Sequence, residues 1–171
     1  MPLPRFAVIA SLSVLAACDA PVMTGATPEP PAEQALAAEC VGDPGQGAAL
    51  SDAVNAVRRA DGKTVLTRSD TLDRIAQSHA CDMAQRGRAD VAGSNGSSVV
   101  DRARAVNYPA CGVVQLVAVG GAPSGVVAGW MGRAATREQV LGQLSYDIGG
   151  GTARGRDGRV WHSVVLGNNC R

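Results

Sequence analysis

The sequence contains few aromatic residues, five among 171, and only two histidines and one lysine. Arginine therefore supplies nearly all of the positive charge, and 16 basic residues against 15 acidic ones leave a formal net charge of +1. A chain this close to neutral creates no basic field that would gather nucleic acid, so nucleic-acid partners are disfavoured. Long apolar runs are also missing after the first 17 residues. That absence excludes a multi-pass membrane protein.

The N-terminus has the layout of a secretory signal, with one basic residue, Arg5, before an apolar run from Phe6 to Ala17. The Leu-Ala-Ala-Cys string that ends at Cys18 resembles the lipobox of bacterial lipoproteins, in which the cysteine is lipidated and becomes the new N-terminus. The alternative is an ordinary signal peptide cut near Ala17, which would leave Cys18 a free thiol. We expect a lipoprotein signal peptide over residues 1–17, a lipid anchor at Cys18, and a location at the periplasmic face of a bacterial membrane or cell envelope.

The segment that follows Cys18 is rich in proline and alanine. Residues 18–38 hold four of the nine prolines and show no apolar periodicity, which is typical of a tether. The remaining residues, 39–171, have the length and composition of one globular domain. The sequence thus predicts a signal, a tether and a single folded unit.

The other four cysteines are Cys40, Cys81, Cys111 and Cys170, an even number in a chain expected to be exported. Such a count predicts two disulfides, and none of the spacings is that of a zinc site. Four cysteines allow three pairings. Because a bond between distant residues restricts the unfolded chain most, we expect Cys40 to pair with Cys170 and Cys81 with Cys111.

Periodicity in the domain predicts helices first and strands later. The expected helices cover about 50–60, 70–86, 98–105, 124–133 and a short stretch from about 136, and the expected strands cover 113–119, 146–150 and 160–166. This order favours an α+β fold in which helices pack on a small antiparallel sheet. The glycine runs at 149–151 and 120–121 are not followed by the Lys-Ser/Thr of a phosphate-binding loop, so we interpret them as turn and strand-edge glycines.

The two histidines are the first candidates for catalysis, because a hydrolase needs a nucleophile and a base. His79 falls on the apolar face of the second predicted helix, which favours a core histidine. His162 lies in the last strand and should point opposite to Trp161, either into a cavity or toward solvent. The domain offers no carboxylate pair of the glycosidase type. No motif in the sequence encodes a reaction by itself.

Five segments carry a family resemblance when they are taken together and in order. They are VNAVRRADG (54–62), LDRIAQSHACDMAQRG (72–87), GSNGSSVVDRARAVNY (93–108), VVAGWMG (126–132) and IGGGTARGRDGRVWHSVVLG (148–167). Together they resemble the CAP superfamily (cysteine-rich secretory proteins, antigen five, pathogenesis-related-one), in particular its bacterial secreted branch. The resemblance covers nearly all of residues 40–171 and implies the three-layer α-β-α sandwich of that family.

The departures from the family pattern fall at three polar positions. Members of the bacterial branch usually carry a histidine before the Gly-Ser-Asp/Asn-Gly loop, a Glu-Asn pair on the first long strand and a histidine after the Trp-Met helix. These groups line a cleft that binds a divalent metal in some relatives. The matching positions here are Val91, Gln115 and Thr136, which leaves His162 as the one imidazole near the last strand. The resemblance therefore implies a degenerate cleft with no metal and no cofactor.

These observations lead to one expected function and two alternatives. We expect a non-catalytic, lipid-anchored module of the cell envelope that binds an unidentified protein, glycan or lipid and does not bind nucleic acid. The first alternative is a secreted hydrolase of the protease type, since protease activity has been proposed for parts of the family. The second is a lipid- or sterol-binding protein, which an apolar cleft would permit.

Overall fold

The computed structural model describes Leu36 and residues 40–170. The predicted signal peptide, Cys18 and nearly all of the predicted tether lie outside the described residues. The helices and strands are α1 Pro44–Ala60, β1 Thr67–Arg68, α2 Asp70–Arg86, α3 Val99–Ala105, β2 Ala110–Val119, α4 Pro123–Met131, α5 Ala134–Leu141, β3 Asp147–Arg154 and β4 Val160–Asn169.

The sheet has four strands in the order β1-β3-β4-β2. Strands β2, β3 and β4 are antiparallel, as expected, and all three extend beyond the predicted bounds. Strand β1 runs parallel to β3, with Thr67 beside Asp147, so the sheet is mixed. Strand β1 is not predicted from the sequence, because two residues are too few to show alternation.

Helices cover both faces of this sheet. Helices α1, α4 and α5 contribute Leu50, Trp130 and Val140 to a core on one face, together with Val164 and Leu166 of β4. On the other face, α2 and α3 pack against Val165 through a set of small and aliphatic side chains: Leu72, Ile75, Ala76 and Ala103. The expected α-β-α sandwich is therefore confirmed.

Local sequence explains where most helices begin and end. Ser69 caps α2 by accepting a hydrogen bond from the Leu72 amide, and Gly87 ends it in the left-handed conformation at φ 66°. Ser98 and Asp101 form the predicted capping box of α3. Helix α1 starts at Pro44 rather than near residue 50, because Asp43 caps it through the Gln46 amide. Its first turns read Pro-Gly-Gln-Gly, which hides the periodic pattern.

The glycines at 149–151 lie in the middle of β3, and their interpretation as turn glycines is wrong. A Cβ atom on Gly149 would lie 2.1 Å from the Leu72 carbonyl carbon, and one on Gly151 would lie 2.2 Å from the Gln77 amide nitrogen, both on the backbone of α2. A Cβ on Gly150 would lie 2.2 Å from the Gly47 carbonyl oxygen of α1. Two helices therefore approach β3 from opposite faces at distances that no side chain on the strand would allow.

The disulfides join Cys40 to Cys81 and Cys111 to Cys170, with Cα–Cα distances of 5.6 and 5.2 Å. The expectation of two disulfides is confirmed, but the expected pairing, Cys40 with Cys170 and Cys81 with Cys111, is wrong. The loop-closure argument concerns only the unfolded chain. In the fold, strands β2 and β4 are antiparallel with Ala110 opposite Asn169, and a bulge between Ala110 and Gly112 places Cys111 beside Cys170.

Candidate functional site

A buried polar cluster is centred on Arg102 of α3, which is only 1% exposed. Its Nη2 donates to the Val91 carbonyl at 2.8 Å and to Oε1 of Gln115 at 2.5 Å. Its Nη1 donates to the carbonyl and hydroxyl oxygens of Ser97 at 2.8 and 3.0 Å. Nε2 of Gln115 in turn donates to the Ser163 hydroxyl at 2.8 Å. The cluster thus links the loop before α3 to strands β2 and β4.

The burial of Arg102 is not apparent from the sequence. The apolar residues Val99, Val100 and Ala103 would be expected on the buried side of α3, but Val100 is 41% exposed. A helix of seven residues makes only two turns, so the pattern of apolar residues does not fix which side faces the core. The position of Arg102 inside the RARA string carried no signal of its burial.

Arg102 stays charged in spite of its burial, whereas the nearby His79 is neutral. Desolvation lowers the pKa of Arg102 to about 10, against the opposing attraction of Asp82 and Asp101, so the guanidinium stays protonated at neutral pH. Desolvation and the nearby Arg102 charge lower the pKa of His79 to about 4. Nε2 of His79 donates to the Asp90 carbonyl at 2.6 Å. His79 is a neutral core histidine, as predicted.

His162 lies on the other face of the sheet from Gln115 and Ser163. It is fully buried, and its Nε2 donates to the Gly121 carbonyl at 3.1 Å. The sequence left a cavity or solvent as its two surroundings, and the structure places it in the interior. Burial lowers the pKa of His162, so the ring is neutral at neutral pH.

The four predicted cleft positions do not converge on one point. Val91 and Gln115 are linked through Arg102, although the Val91 side chain is 51% exposed. The Thr136 hydroxyl donates to the Trp130 carbonyl at 2.6 Å and closes the turn between α4 and α5. Strand alternation separates His162 from Gln115 by the thickness of the sheet.

The chemistry open to these residues is restricted by their hydrogen bonds. Both imidazoles are buried, and both donate to backbone carbonyls. Among residues 40–170, no three His, Cys, Asp or Glu side chains are grouped so that they could hold a metal ion. No helix in the described part of the chain is long and apolar enough to cross a membrane.

This α-β-α sandwich is the fold of a CAP domain. The sequence model of the cysteine-rich secretory protein family matches residues 51–166, so this chain belongs to that family. None of the curated proteins matches the sequence.

Several solved structures share the fold, and three of them are bacterial proteins. An outer surface protein from Borrelia burgdorferi aligns with a TM-score of 0.66 at 18% identity, over 71% of this chain and 91% of that chain. An extracellular protein containing an SCP domain from Bacillus anthracis aligns at 0.62 and 16% identity, over 73% of this chain and 41% of that one. A cysteine-rich secretory protein from Staphylococcus aureus aligns at 0.60 and 16% identity, over 74% and 39%. The chain therefore spans about two fifths of the last two proteins.

Proposed function

We propose that this chain is a non-catalytic CAP domain that works as a lipid-anchored binding module in the bacterial cell envelope. One observation carries the proposal. The polar groups at the positions that match the family's cleft ligands are used inside the fold. Gln115 bridges Arg102 and Ser163, Thr136 bonds to a helix carbonyl, and His162 bonds to the Gly121 carbonyl. Gln115 and His162 are also buried, at 7% and 0% exposed, so a substrate or a metal ion in solution does not reach them.

The proposal predicts that the protein binds no stoichiometric zinc at neutral pH and that a chelator leaves its melting temperature unchanged. A single buried imidazole with no carboxylate partner does not provide a tetrahedral site. A ligand present at 100 times its Kd would add about 2.7 kcal/mol of stability, so a real site would be plain in calorimetry with and without zinc.

The metal experiment needs two variants, His162→Ala and Thr136→Val. A zinc-dependent rise in melting temperature that His162→Ala abolishes would refute the proposal and would favour a hydrolase. Thr136→Val shows whether the turn that matches the family's histidine position takes part. If both variants and the wild type respond equally to zinc, the metal binds outside the predicted cleft.

Two measurements distinguish the proposal from its alternatives: peptide cleavage tests for a hydrolase, and native mass spectrometry tests for a lipid- or sterol-binding protein. Wild-type protein that cleaves members of a peptide library, with cleavage lost in His162→Gln, would establish the hydrolase. Native mass spectrometry of protein purified without detergent would detect a stoichiometric lipid or sterol if the module binds one. If native mass spectrometry shows only the mass of the ligand-free protein and no peptide is cleaved, the remaining ligand classes are a protein or a glycan.

Two of the similar structures are an outer surface protein and an extracellular protein, which supports export of this chain. The lipobox-like string predicts that the mature protein partitions with membranes and labels with fatty acid through Cys18. Each buried methylene of an acyl chain contributes about 0.8 kcal/mol, so multiple acylation holds a protein on a bilayer without a spanning helix.

The anchor is tested by fractionating cells that express wild type and Cys18→Ser. We expect the wild type in the membrane fraction, and the variant either soluble or unprocessed. A Cys40→Ser variant is the matched control, since it also removes a cysteine and should keep the label. Identical processing and solubility of wild type and Cys18→Ser would eliminate the anchor.

A further inference from the structure

The chain enters the folded domain beside the hairpin that joins β3 to β4. The Asp43 amide donates to the Thr152 carbonyl at 3.4 Å, and the Thr152 hydroxyl donates to the Asp43 carbonyl at 3.2 Å. Val41 and Asp43 also share the lining of a cavity of about 190 Å³ with Arg154 and Val160. Residues 41–43 therefore lie beside this hairpin, whereas Leu36, the one described residue of the predicted tether, shares the lining of a cavity with Asp73 and Arg74 in the first half of α2.

The hairpin tip is basic and exposed. Its sequence, Arg-Gly-Arg-Asp-Gly-Arg over residues 154–159, holds three guanidinium groups and one carboxylate, and all four side chains belong to exposed residues. Asp157 accepts from Nε of Arg159 at 2.6 Å, and Nη1 of Arg154 donates to the Gly158 carbonyl at 2.8 Å. One carboxylate offsets one of the three cations, so the tip carries a net charge of +2.

The backbone of the tip presents these cations on a defined turn. The Gly155 amide donates to the Arg159 carbonyl at 2.8 Å, and the Gly158 amide donates to the Gly155 carbonyl at 3.0 Å. The Arg159 guanidinium lies 5.1 Å from the centre of the buried Trp161 ring, which fixes the base of the turn. A preformed turn loses little conformational entropy when it binds a surface.

The opposite end of the molecule lies beyond the first residues of β3. Helix α1 runs antiparallel to β3. Gly47, near the start of the helix, contacts Gly150, and the chain that follows the helix leads to Thr67 beside Asp147, the first residue of β3. Arg59 and Lys63 belong to that far end. The eight residues of β3 span about 26 Å, well beyond a Debye length of about 10 Å in 0.1 M salt. Charges at the two ends therefore act independently on a nearby surface.

We propose that the hairpin tip of residues 154–159 binds the anionic headgroups of the membrane to which the domain is attached. The proposal rests on the proposed lipid anchor, because the segment between Cys18 and Leu36 is long enough to let the hairpin reach the bilayer. The tip would then supply an electrostatic contact that adds to the acyl chains. A lipid chain combined with a basic surface is a combination that gives stable membrane attachment.

The experiment measures vesicle binding without the anchor. The mature chain from residue 18, with Cys18→Ser and therefore no acyl group, is sedimented with vesicles of equimolar phosphatidylcholine and phosphatidylglycerol in about 0.1 M salt. Each basic side chain near an anionic leaflet contributes about 1 kcal/mol, a factor of about five. We expect Arg154→Gln/Arg156→Gln to raise the lipid concentration for half-binding by about 25-fold.

The matched control removes the same charge from the far end. Arg59→Gln/Lys63→Gln should change half-binding less than about two-fold because of the distance, and Arg154→Lys/Arg156→Lys should keep most of the binding. The proposal is overturned if the two glutamine variants lose binding equally, if the wild type binds pure phosphatidylcholine as well, or if it binds neither vesicle. The proposal would also be overturned if Arg154→Gln/Arg156→Gln bound an acidic peptide or an oligonucleotide more weakly than the wild type did but bound the vesicles equally well.

Failure of this proposal is distinguishable from failure of the proposed function. The vesicle assay contains no acyl chain, so its result does not depend on modification of Cys18. Conversely, fatty-acid labelling at Cys18 does not depend on the arginines of the tip. An equal melting temperature of the wild type and the Arg154→Gln/Arg156→Gln variant shows that the loss of binding comes from charge and not from unfolding.

Discussion

Gly151→Ala should lower the free energy of unfolding by about 3 kcal/mol, the upper part of the range for an overpacked core. The added Cβ would lie 2.2 Å from the Gln77 amide nitrogen and 2.4 Å from the Ala76 carbonyl carbon. Both atoms belong to the backbone of α2, so the clash is relieved only if the whole helix moves away from β3. Urea denaturation followed by circular dichroism measures the change.

Gly129→Ala in α4 is the matched control for that substitution. Gly129 has no atom within 4 Å of the position that its Cβ would occupy, and it belongs to an exposed part of the helix. Alanine is favoured over glycine in a helix interior by about 1 kcal/mol, so this variant should be more stable than the wild type. Equal stabilities for Gly151→Ala and Gly129→Ala would contradict the close approach of α2 to β3.

Replacing Cys111 and Cys170 together with serine should lower the free energy of unfolding by up to about 4 kcal/mol, the chain-entropy value for a loop of this length. The two cysteines are 59 residues apart in sequence. Their bond joins the start of β2 to the end of β4. Its loss frees the C-terminal end of β4 from the edge strand β2. Thermal unfolding in the absence of reductant, compared with the wild type, measures the effect.

Peptide mapping under non-reducing conditions checks the pairing itself. The map should contain one peptide pair that joins Cys40 to Cys81 and another that joins Cys111 to Cys170. A peptide that joins Cys40 to Cys170 would contradict the fold described above. Cys40 lies near the end of β3 that leads into the hairpin turn, and Cys170 follows the opposite end of the β3–β4 pair. The wild type treated with reductant before digestion is the control.

Much of the fold was accessible from local sequence. Helix α2 carries its own cap at Ser69, its apolar stripe and its stop at Gly87, and these features placed it correctly. The capping box of α3 and the turn glycine of the closing hairpin, Gly158 at φ 78°, are equally local signals. The family resemblance, which the match over residues 51–166 confirms, fixed the order of the layers.

The candidate site was less accessible. The sequence placed His79 in the core and gave His162 two possible surroundings, but it did not identify Arg102 as the centre of a buried network. The contacts of Arg102 reach Val91, Ser97 and Gln115, and no periodic pattern relates these positions. A hydrogen-bond partner on another element is visible only when both elements are in place.

By itself, the sequence determined the helices, the three long strands, the count of two disulfides and the family. Those properties depend on neighbours within a few residues, or on residue counts, so short segments of the sequence are enough to predict them. Only the tertiary structure decided which cysteines pair, that β1 joins the sheet in parallel, and that Gly149 and Gly151 receive a helix backbone. These are contacts between segments far apart in the chain, and their energies depend on strand register and packing distance, which no local pattern encodes.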